Sequence, residues 1–489
     1  MSIPILSYPE ARNYIAGEFQ QNGSRSLPVI SPLDGSTISS VTLSDKKVLG
    51  QAVQAAGRAF KEWSARTLKE RVQVFFRFRA LLEEQKEELA NLVRIENGKT
   101  YEEAEAEVLK GIELSEFACS LPQIITDEVQ EVSKGVECRT SHLPIGIVAS
   151  ITPFNFPFMV PLWTIPNALS LGNCMILKPS EQVPLSAQKI AGLLKEAGLP
   201  DGVFNIVNGD KEIVEAICAH PGIHAVTFVG STRVAGIVYR QATSHLKRAL
   251  CLGGAKNHLI VLPDANPEMS AANIAASMAG CAGQRCMAAS AMVAVGKTDH
   301  IIQQICAEAR RIVPGKNLGS VISKEAKERI ERYITEAETA GAKVLVDGRN
   351  ATVPGKGGGF YVGPTVIDYV TPEMAIAKEE VFGPVLAILR TNDVDEAIRI
   401  ENSSNYGNAS SVFTENGGLA QYVIERVSAG MVGVNIGVPV PREPFPFGGW
   451  NESRFGVGDI TGKSSIPFWT QLKKTTTKWN PEAWTDWTT

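Results

Sequence analysis

The alternation of short apolar runs with amphipathic segments constrains the fold of this 489-residue chain more than any other feature. Apolar runs bounded by Gly, Pro or polar residues occur at residues 144–152, 173–177, 203–207 and 225–229. Such runs are typical of strands buried on both faces of a parallel sheet. Residues 184–197 carry apolar side chains at helical spacing, and Gly198 follows as a helix-ending residue. The pattern predicts a doubly wound α/β unit.

A second α/β series follows the first. Its predicted strands lie near residues 258–262, 342–346, 385–389, 410–413 and 431–435. Residues 48–110, rich in Ala, Glu, Lys and Arg, predict long amphipathic helices, and the Gly-rich stretch 355–359 predicts a surface hairpin loop, because no strand-then-helix pattern surrounds it. The chain is too long for one simple core, so we expect more than one α/β domain.

Charge and cysteine usage exclude several classes of protein. The formal net charge of -4 provides no basic field for nucleic acid. Pro, Gly or charged residues interrupt every long apolar stretch before it reaches the length of a membrane span, and the N-terminal residues resemble no signal peptide. The eight cysteines lack the spacing of a zinc site, so no metal is expected. We therefore expect a cytoplasmic protein that binds neither nucleic acid nor a membrane.

Cys286 is the best candidate nucleophile in the chain. Arg285 directly precedes it, and small residues before Arg285 leave room for a ligand. The thiolate is the reactive form of cysteine, and a neighbouring cation lowers the thiol pKa. A buried structural cysteine is the alternative interpretation, since free cysteines are commonly buried.

Five separated motifs, in order along the chain, resemble the signature set of the aldehyde dehydrogenase superfamily. They lie at residues 151–157 (ITPFNFP), 177–181 (LKPSE), 228–231 (FVGS), 283–286 (GQRC) and 379–385 (EEVFGPV). Within the superfamily, residues 254–258 (GAKNH), 283–288 (GQRCMA) and 468–473 (FWTQLK) resemble the methylmalonate-semialdehyde dehydrogenases, which make acyl-CoA products. The resemblance covers nearly the whole chain.

The resemblance implies catalytic roles for two residues. Cys286 is expected to attack the aldehyde, and the side-chain amide of Asn155 with the backbone N–H of Cys286 is expected to stabilise the oxyanion. Transfer of hydride to a nicotinamide then leaves a thioester on Cys286. A simple turn residue is the alternative interpretation of Asn155.

The resemblance also implies an NAD site without the usual GxGxxG motif. Lys178 and Glu181 follow a predicted strand, and a carboxylate there can bind ribose hydroxyls while repelling a 2′-phosphate, which favours NAD over NADP. The remaining expected cofactor contacts, among which Gly230 and Ser231 begin a helix beside the pyrophosphate, are Thr152, Phe154, Gln182, Gly230, Ser231, Glu380 and Phe382.

The absence of one carboxylate predicts how the thioester is resolved. Hydrolytic relatives carry a water-activating glutamate upstream of the nucleophile, and alignment on Lys256 places Leu252 at that position. A thioester without such a base persists until a better nucleophile, such as a thiol, resolves it. In the branch that this sequence resembles, that thiol is coenzyme A, so the resemblance implies coenzyme A as the co-substrate. The expected reaction converts malonate or methylmalonate semialdehyde to acetyl-CoA or propionyl-CoA with loss of carbon dioxide.

Two cations are expected to hold the negative charge of the substrate. Arg285 matches one arginine of the resembled branch, while Lys110 stands where relatives carry the second. Lysine keeps the charge but loses the planar fork that binds carboxylates in a bidentate manner. The substrate anion is therefore left open between a carboxylate and a sulfonate, and an exposed helix lysine is the alternative interpretation of Lys110.

The resemblance implies an aldehyde dehydrogenase-like α/β fold with three parts. A Rossmann-type NAD domain is expected at residues 1–126 and 143–255, a catalytic domain at 256–455, and oligomerisation segments at 127–142 and 456–489. We expect a homo-oligomer, either a dimer or a tetramer. Two other functions stay open: a non-acylating dehydrogenase of another small acidic aldehyde, and a non-catalytic binding protein on the same fold.

Overall fold

The computed structural model describes residues 7–23 and 25–479. Its strands are β1 (Asn13–Ile15), β2 (Glu18–Gln20), β3 (Arg25–Ile30), β4 (Thr37–Leu43), β5 (Val129–Ser133), β6 (Val136–Pro144), β7 (Ile147–Ile151), β8 (Cys174–Lys178), β9 (Phe204–Ile206), β10 (Ala225–Val229), β11 (Arg248–Leu252), β12 (Asn257–Val261), β13 (Ala289–Val295), β14 (Lys343–Val346), β15 (Thr365–Asp368), β16 (Val385–Thr391), β17 (Tyr406–Gly407), β18 (Ala409–Phe413), β19 (Met431–Val434), β20 (Trp450–Asn451), β21 (Arg454–Phe455) and β22 (Thr470–Lys478).

The helices lie mainly between the strands of two large sheets. They are α1 (Lys46–Ala65), α2 (Leu68–Glu84), α3 (Lys86–Asn97), α4 (Tyr101–Ile124), α5 (Met159–Ser170), α6 (Leu185–Glu196), α7 (Lys211–Ala219), α8 (Thr232–Ser244), α9 (Pro267–Ala279), α10 (Asp299–Arg311), α11 (Lys324–Thr339), α12 (Ala375–Lys378), α13 (Val394–Asn402), α14 (Gly417–Ile424) and α15 (Ile466–Trp469). In the described part of the chain, no helix is both long and apolar enough to cross a membrane.

The first large sheet has the strand order β2-β1-β9-β8-β7-β10-β11-β21. Its five central strands, which are β9, β8, β7, β10 and β11 in spatial order, are parallel, and the strands at its edges pair antiparallel. Every residue of β7 and β8 is buried, as expected for a parallel sheet covered by helices on both faces. The strand order reverses between β7 and β10, and ligands bind at such a reversal, beyond the carboxyl ends of the strands.

The second large sheet has the order β14-β15-β16-β13-β12-β18-β19, and all of its pairs except β14–β15 are parallel. The loops that precede β13 and β16 lie at the amino ends of their strands. These amino ends face the site, whereas the first sheet contributes the carboxyl ends of its strands. The Gly-rich stretch 355–359 lies in the connection between the antiparallel strands β14 and β15, which agrees with the predicted hairpin loop.

A small third sheet, of order β22-β6-β5, is separate from the two main sheets. Strand β22 pairs antiparallel with β6 along its whole length, from Thr470 opposite Pro144 to Lys478 opposite Val136. These strands belong to the predicted oligomerisation segments. Residues 480–489 of the predicted segment 456–489 lie outside the described residues, as do residues 1–6 and 24 of the predicted NAD domain.

One strand pairing crosses a predicted domain boundary. Strand β21 lies inside the range predicted as catalytic, yet it pairs with β11 of the first sheet. Phe447, Ile460 and Trp469 also belong to the apolar core of the first sheet. The chain therefore returns to its first unit after β19.

Candidate active site

A cavity of about 1440 Å³ collects every residue that the sequence predicts as part of a site. Thr152 follows β7, Lys178 ends β8 and Gly230 follows β10, so the first sheet supplies the carboxyl ends of three neighbouring strands. The further predicted residues that line the cavity are Lys110, Phe154, Asn155, Glu181, Gln182, Ser231, Arg285, Cys286, Glu380 and Phe382.

Cys286 lies in the loop between α9 and β13. Its backbone carbonyl accepts hydrogen bonds from the side-chain amides of Asn257 and Asn408, both at 2.8 Å. Asn257 begins β12 and Asn408 directly precedes β18. The nucleophile is therefore anchored to the amino ends of two strands, which hold its backbone in one position.

The residues before Cys286 form a loop with an unusual backbone. Cys281 and Ala282 both have φ 52°, and Gly283 has φ 69°. The left-handed region is unfavourable for residues with a side chain, and such strain occurs mainly at functional sites. A methyl group on Gly283 would collide with the backbone carbonyl of Gly383, so glycine lets the nucleophile loop approach the loop that carries Glu380 and Phe382 closely.

Arg285 lowers the pKa of the Cys286 thiol, as expected, but other effects outweigh it. Burial, followed by the charge of the nearby Glu380, raises the pKa of the Cys286 thiol to about 12, while the effect of Arg285 is smaller and opposite. The reason is geometric. Nε of Arg285 donates to Sγ of Cys281 at 3.2 Å, and a guanidinium nitrogen lies 4.0 Å from Glu103. Cys286 is a neutral thiol here.

Asn155 is buried and its side chain is fixed beside the nucleophile loop. One N–H of its side-chain amide donates to the backbone carbonyl of Gln284 at 2.9 Å. The second N–H of the amide does not take part in that bond and can donate to a ligand. The backbone carbonyl of Asn155 accepts from Nζ of Lys99 at 2.5 Å. An amide held in this way is a preorganised donor of the kind an oxyanion requires.

A buried ion pair supports the segment that carries Asn155. Nζ of Lys99 lies 2.7 Å from Glu107, and both side chains are almost completely buried. The other oxygen of Glu107 accepts from the backbone N–H groups of Phe158 and Met159 at the start of α5. Glu107 therefore caps one helix and neutralises the lysine that holds the Asn155 backbone.

The expected adenosine end of the cofactor site is built at the end of β8. Lys178 Nζ lies 2.8 Å from Glu181, and Gln182 follows at the surface of the same turn. Ser231 is the N-cap of α8 but makes no side-chain capping bond, and a side chain on Gly230 would crowd Phe228. Open backbone N–H groups at a helix start beside a glycine fit a pyrophosphate.

The expected nicotinamide end contains a carboxylate and two aromatic rings. Glu380 accepts from the backbone N–H of Ala255 at 3.0 Å, and burial raises its pKa to about 7. The rings of Phe154 and Phe382 pack edge to face with centroids 5.9 Å apart. Phe382 has φ 55°, so its ring is presented from a strained backbone.

Leu252 ends β11 and is buried in the apolar core of the first sheet. Its neighbour Cys251 is fully buried, and burial raises the pKa of that thiol strongly. The two glycines that follow, Gly253 and Gly254, line the cavity. The position therefore offers no base, as expected from the sequence.

Lys110 lines the cavity, but its ammonium is paired. Nζ lies 2.5 Å from Glu443 and 3.2 Å from Glu113. Because both carboxylates neutralise Lys110, its ammonium is not a free cation. The expected contact of Lys110 with a substrate anion stays a prediction. Arg285, which is paired more loosely with Glu103, is the better placed cation.

Several residues of the site were not predicted from the sequence. They are Lys99, Glu107, Asn408 and Glu443, and each acts through contacts with distant parts of the chain. Lys99 and Glu107 lie only eight residues apart, on either side of the first turn of α4, and this spacing matches no motif. Asn257 lies within the GAKNH motif, although that motif alone gives it no role.

The comparisons with known proteins agree with this architecture. Residues 19–475 match the aldehyde dehydrogenase family. The chain is 43% identical over 477 residues to malonate-semialdehyde dehydrogenase 2 of Bacillus thuringiensis subsp. konkukian, covering 96% of this chain and 98% of that protein. A malonate-semialdehyde dehydrogenase 1 of Geobacillus kaustophilus is 41% identical, with 98% and 100% covered.

Solved structures of similar proteins superpose closely on this chain. The crystal structure of methylmalonate-semialdehyde dehydrogenase from Oceanimonas doudoroffii superposes with a TM-score of 0.95 at 41% identity, covering 97% of this chain and 99% of that one. A Sinorhizobium meliloti 1021 protein, complexed with NAD, gives a TM-score of 0.95 at 38% identity, with 98% and 99% covered. The predicted family and fold class are confirmed. The chain therefore belongs to the aldehyde dehydrogenase family and is an NAD-dependent enzyme.

Proposed function

We propose that the enzyme oxidises a short anionic semialdehyde and transfers the acyl group to coenzyme A. Malonate and methylmalonate semialdehyde are the proposed substrates, and acetyl-CoA or propionyl-CoA with carbon dioxide are the products. One observation carries the acylating part of the proposal: a buried leucine, Leu252, occupies the position of the water-activating base. The names of the malonate- and methylmalonate-semialdehyde dehydrogenases among the similar proteins support the substrate class.

In the proposed reaction, the Cys286 thiol loses its proton to water, and its sulfur then bonds to the aldehyde carbon. The carbonyl oxygen becomes negative and accepts from the free N–H of the Asn155 amide and from the Cys286 backbone N–H. NAD held beside Glu380 and Phe382 would supply the hydride acceptor, and the acyl group would stay on Cys286 as a thioester. The thiolate of coenzyme A then adds to the thioester carbonyl, and the bond to the Cys286 sulfur breaks. A carboxylate β to such a carbonyl can leave as carbon dioxide, because the resulting enolate meets the same donors.

We propose NAD contacts at both ends of the cavity. Glu181 and Lys178 would hold the adenosine ribose, Gln182 and Thr152 would border it, and Gly230 with Ser231 would face the pyrophosphate. The nicotinamide side would meet Phe154, Glu380 and Phe382. This assignment is supported by the uncapped first turn of α8 and by the position of the residues at the strand reversal.

We assign the substrate anion chiefly to Arg285. Its guanidinium lines the cavity, and its orientation is fixed by Cys281 and Glu103. A planar guanidinium suits either a carboxylate or a sulfonate. We also propose that the third sheet joins subunits of a dimer or tetramer and that the enzyme is cytoplasmic.

The decisive experiment is NADH production from malonate semialdehyde with and without coenzyme A. Without coenzyme A, we expect a burst of about one NADH per active site followed by slow turnover, because the thioester accumulates. Adding coenzyme A should sustain the rate and produce an acyl-CoA detected by mass spectrometry. Leu252→Glu should raise slow hydrolysis if it folds, and Leu252→Met, which keeps the volume, is its control.

One observation favours hydrolysis as the second candidate. Glu380 lies near enough to Cys286 to raise its thiol pKa, and its own pKa of about 7 suits a general base. A non-acylating enzyme would release free acid rapidly without coenzyme A. It would also lose that release in Glu380→Gln. Such a result would replace the acylating proposal.

A further inference from the structure

An ion pair between Lys110 and Glu443 lies in the wall of the active-site cavity. Lys110 is in the middle of α4, and Glu443 is 333 residues later in the segment between β19 and β20. The side chain of Glu443 is only 7% exposed and that of Lys110 20% exposed. Both line the same cavity as Cys286. The pair is thus largely shielded from bulk water and borders the cavity that contains the nucleophile.

The charges around this pair do not form an anion site. Lys110 also lies 3.2 Å from Glu113, one turn later on α4, so two carboxylates share one ammonium. Arg442 lines the cavity beside Glu443, but it is exposed to solvent, which screens its charge. A carboxylate brought to Lys110 would lie beside the buried carboxylate of Glu443, and like charges in such a site repel strongly.

A hydroxyl group of the substrate, unlike a carboxylate, would interact favourably with both residues of the ion pair. It can donate a hydrogen bond to the carboxylate of Glu443 and accept one from the ammonium of Lys110. Both bonds would be charge-assisted and therefore stronger than bonds between neutral groups. Neither the carboxylate nor the ammonium would lose its ionic partner.

We propose that Glu443 is a specificity-determining residue that makes this part of the cavity select an aldehyde bearing a hydroxyl group. Glu443 withdraws Lys110 from anion binding and leaves the anion contact to Arg285. The inference rests on the oxidation at Cys286 in the proposed function, and it extends the proposed substrate class to short aldehydes that bear a hydroxyl group. It does not depend on how the thioester is resolved.

The test compares three aldehydes of equal chain length with the NAD-loaded enzyme: propanal, 3-hydroxypropanal and malonate semialdehyde. In the wild type, kcat/KM for 3-hydroxypropanal should exceed that for propanal by about tenfold, since two charge-assisted hydrogen bonds are gained. In Glu443→Gln, the ratio of kcat/KM for malonate semialdehyde to that for 3-hydroxypropanal should rise about tenfold, because Lys110 is released.

Lys110→Met should move the same ratio downward, because Glu443 then remains without its cation. Opposite shifts in two variants of one pair cannot arise from general damage to the fold. Glu83→Gln removes a carboxylate paired at 3.4 Å with Arg79 on the protein surface and should leave the ratio unchanged. NAD affinity, measured for each variant, checks that the cavity is intact.

The two proposals fail in different ways. A ratio that stays within about twofold in both Glu443→Gln and Lys110→Met would overturn the role of Glu443, even if acyl-CoA is formed. Absence of acyl-CoA, with the ratio shifting as expected, would overturn the acylating function and leave the role of Glu443 standing.

Discussion

Cys286 combines a position suited to attack with a thiol whose pKa is raised by its surroundings. Burial and Glu380 together raise its pKa to about 12, and Arg285 points toward Cys281 instead. A raised pKa keeps this thiol protonated near neutral pH, and a thiol is less reactive toward oxidants and alkylating agents than a thiolate.

Cys286→Ala should reduce NADH formation by at least about a thousandfold, since the sulfur forms the bond that precedes hydride transfer. NAD binding, measured by titration calorimetry, should persist. Cys138→Ala is the matched control, because Cys138 is a partly exposed thiol on β6, remote from the cavity residues. Substantial turnover by Cys286→Ala would assign the nucleophile to another group.

Glu181→Gln should lower the preference for NAD over NADP by about tenfold. The carboxylate pairs with Lys178 at 2.8 Å, and its charge would repel a 2′-phosphate at the ribose. The measurement is kcat/KM for each cofactor. Glu196→Gln, at the exposed end of α6, should leave the preference unchanged. An equal preference in Glu181→Gln and the wild type would show that Glu181 does not read the ribose.

At the scale of elements, the start of α5 links stability to catalysis. Glu107 of α4 caps α5, pairs with Lys99, and so fixes the backbone of Asn155. A buried pair of this kind adds little net stability, but loss of one partner leaves an uncompensated charge. The oxyanion donor is thus held by contacts among three separate elements.

Glu107→Gln should lower the free energy of unfolding by about 3 kcal/mol, because Lys99 stays buried without its counter-ion. It should also lower kcat, because Asn155 is no longer held. Urea unfolding and steady-state rates measure the two effects. Adding Lys99→Met should restore much of the stability without restoring kcat.

The control for this variant is Glu105→Gln on the same helix, where the partner Lys86 is 3.6 Å away and both side chains are about a third exposed. It should change neither quantity measurably, as expected for surface ion pairs. If Glu107→Gln unfolds at the same urea concentration as Glu105→Gln, the buried pair has no structural role.

Local patterns predict some of these elements well and others poorly. Strands β7, β8 and β10 were predicted because their apolar runs are bounded by residues that break regular structure. Strand β13 was not, since its sequence ASAMVAV is rich in alanine, which has low strand propensity. Strand β11 begins with an exposed arginine directly after a helical region, so its apolar run is short.

Some residues of the site could likewise be predicted from the sequence, and others could not. Residues in contiguous motifs, such as Asn155 and Cys286, could be predicted because the family resemblance carries them. Lys99 and Glu443 could not, because their roles depend on partners brought close only by the tertiary fold. The direction of the Arg285 side chain was likewise set by the strained loop at Cys281 rather than by sequence adjacency.

At the scale of the whole molecule, the third sheet carries exposed apolar side chains that the monomer does not bury. Val129 and Val132 of β5 are 57% and 54% exposed, and Leu472 of β22 is 45% exposed. Exposed apolar clusters on an extension of this kind are typical of subunit interfaces. This agrees with the proposed oligomer.

Replacing Val129 and Val132 together by Glu should dissociate the oligomer, raising its dissociation constant by at least about a hundredfold, because charges would be buried at the interface. Sedimentation velocity measures the change. Val313→Glu, an exposed valine elsewhere, should leave the assembly intact. An unchanged sedimentation coefficient in the double variant would place the interface on another surface.

Some core residues of the first large sheet lie late in the sequence, and their position determines the order in which the two large sheets can be completed during synthesis. Phe468 and Trp469 belong to the core of the first sheet, and the backbone carbonyl of Trp469 accepts from Asn173. During translation, the first unit therefore lacks part of its core until nearly the whole chain has left the ribosome. All strands of the second sheet lie between Asn257 and Val434 in the sequence, so this sheet is complete earlier. The half synthesised first is thus completed last, and nascent chains expose its unfinished apolar surface to chaperones for most of their synthesis.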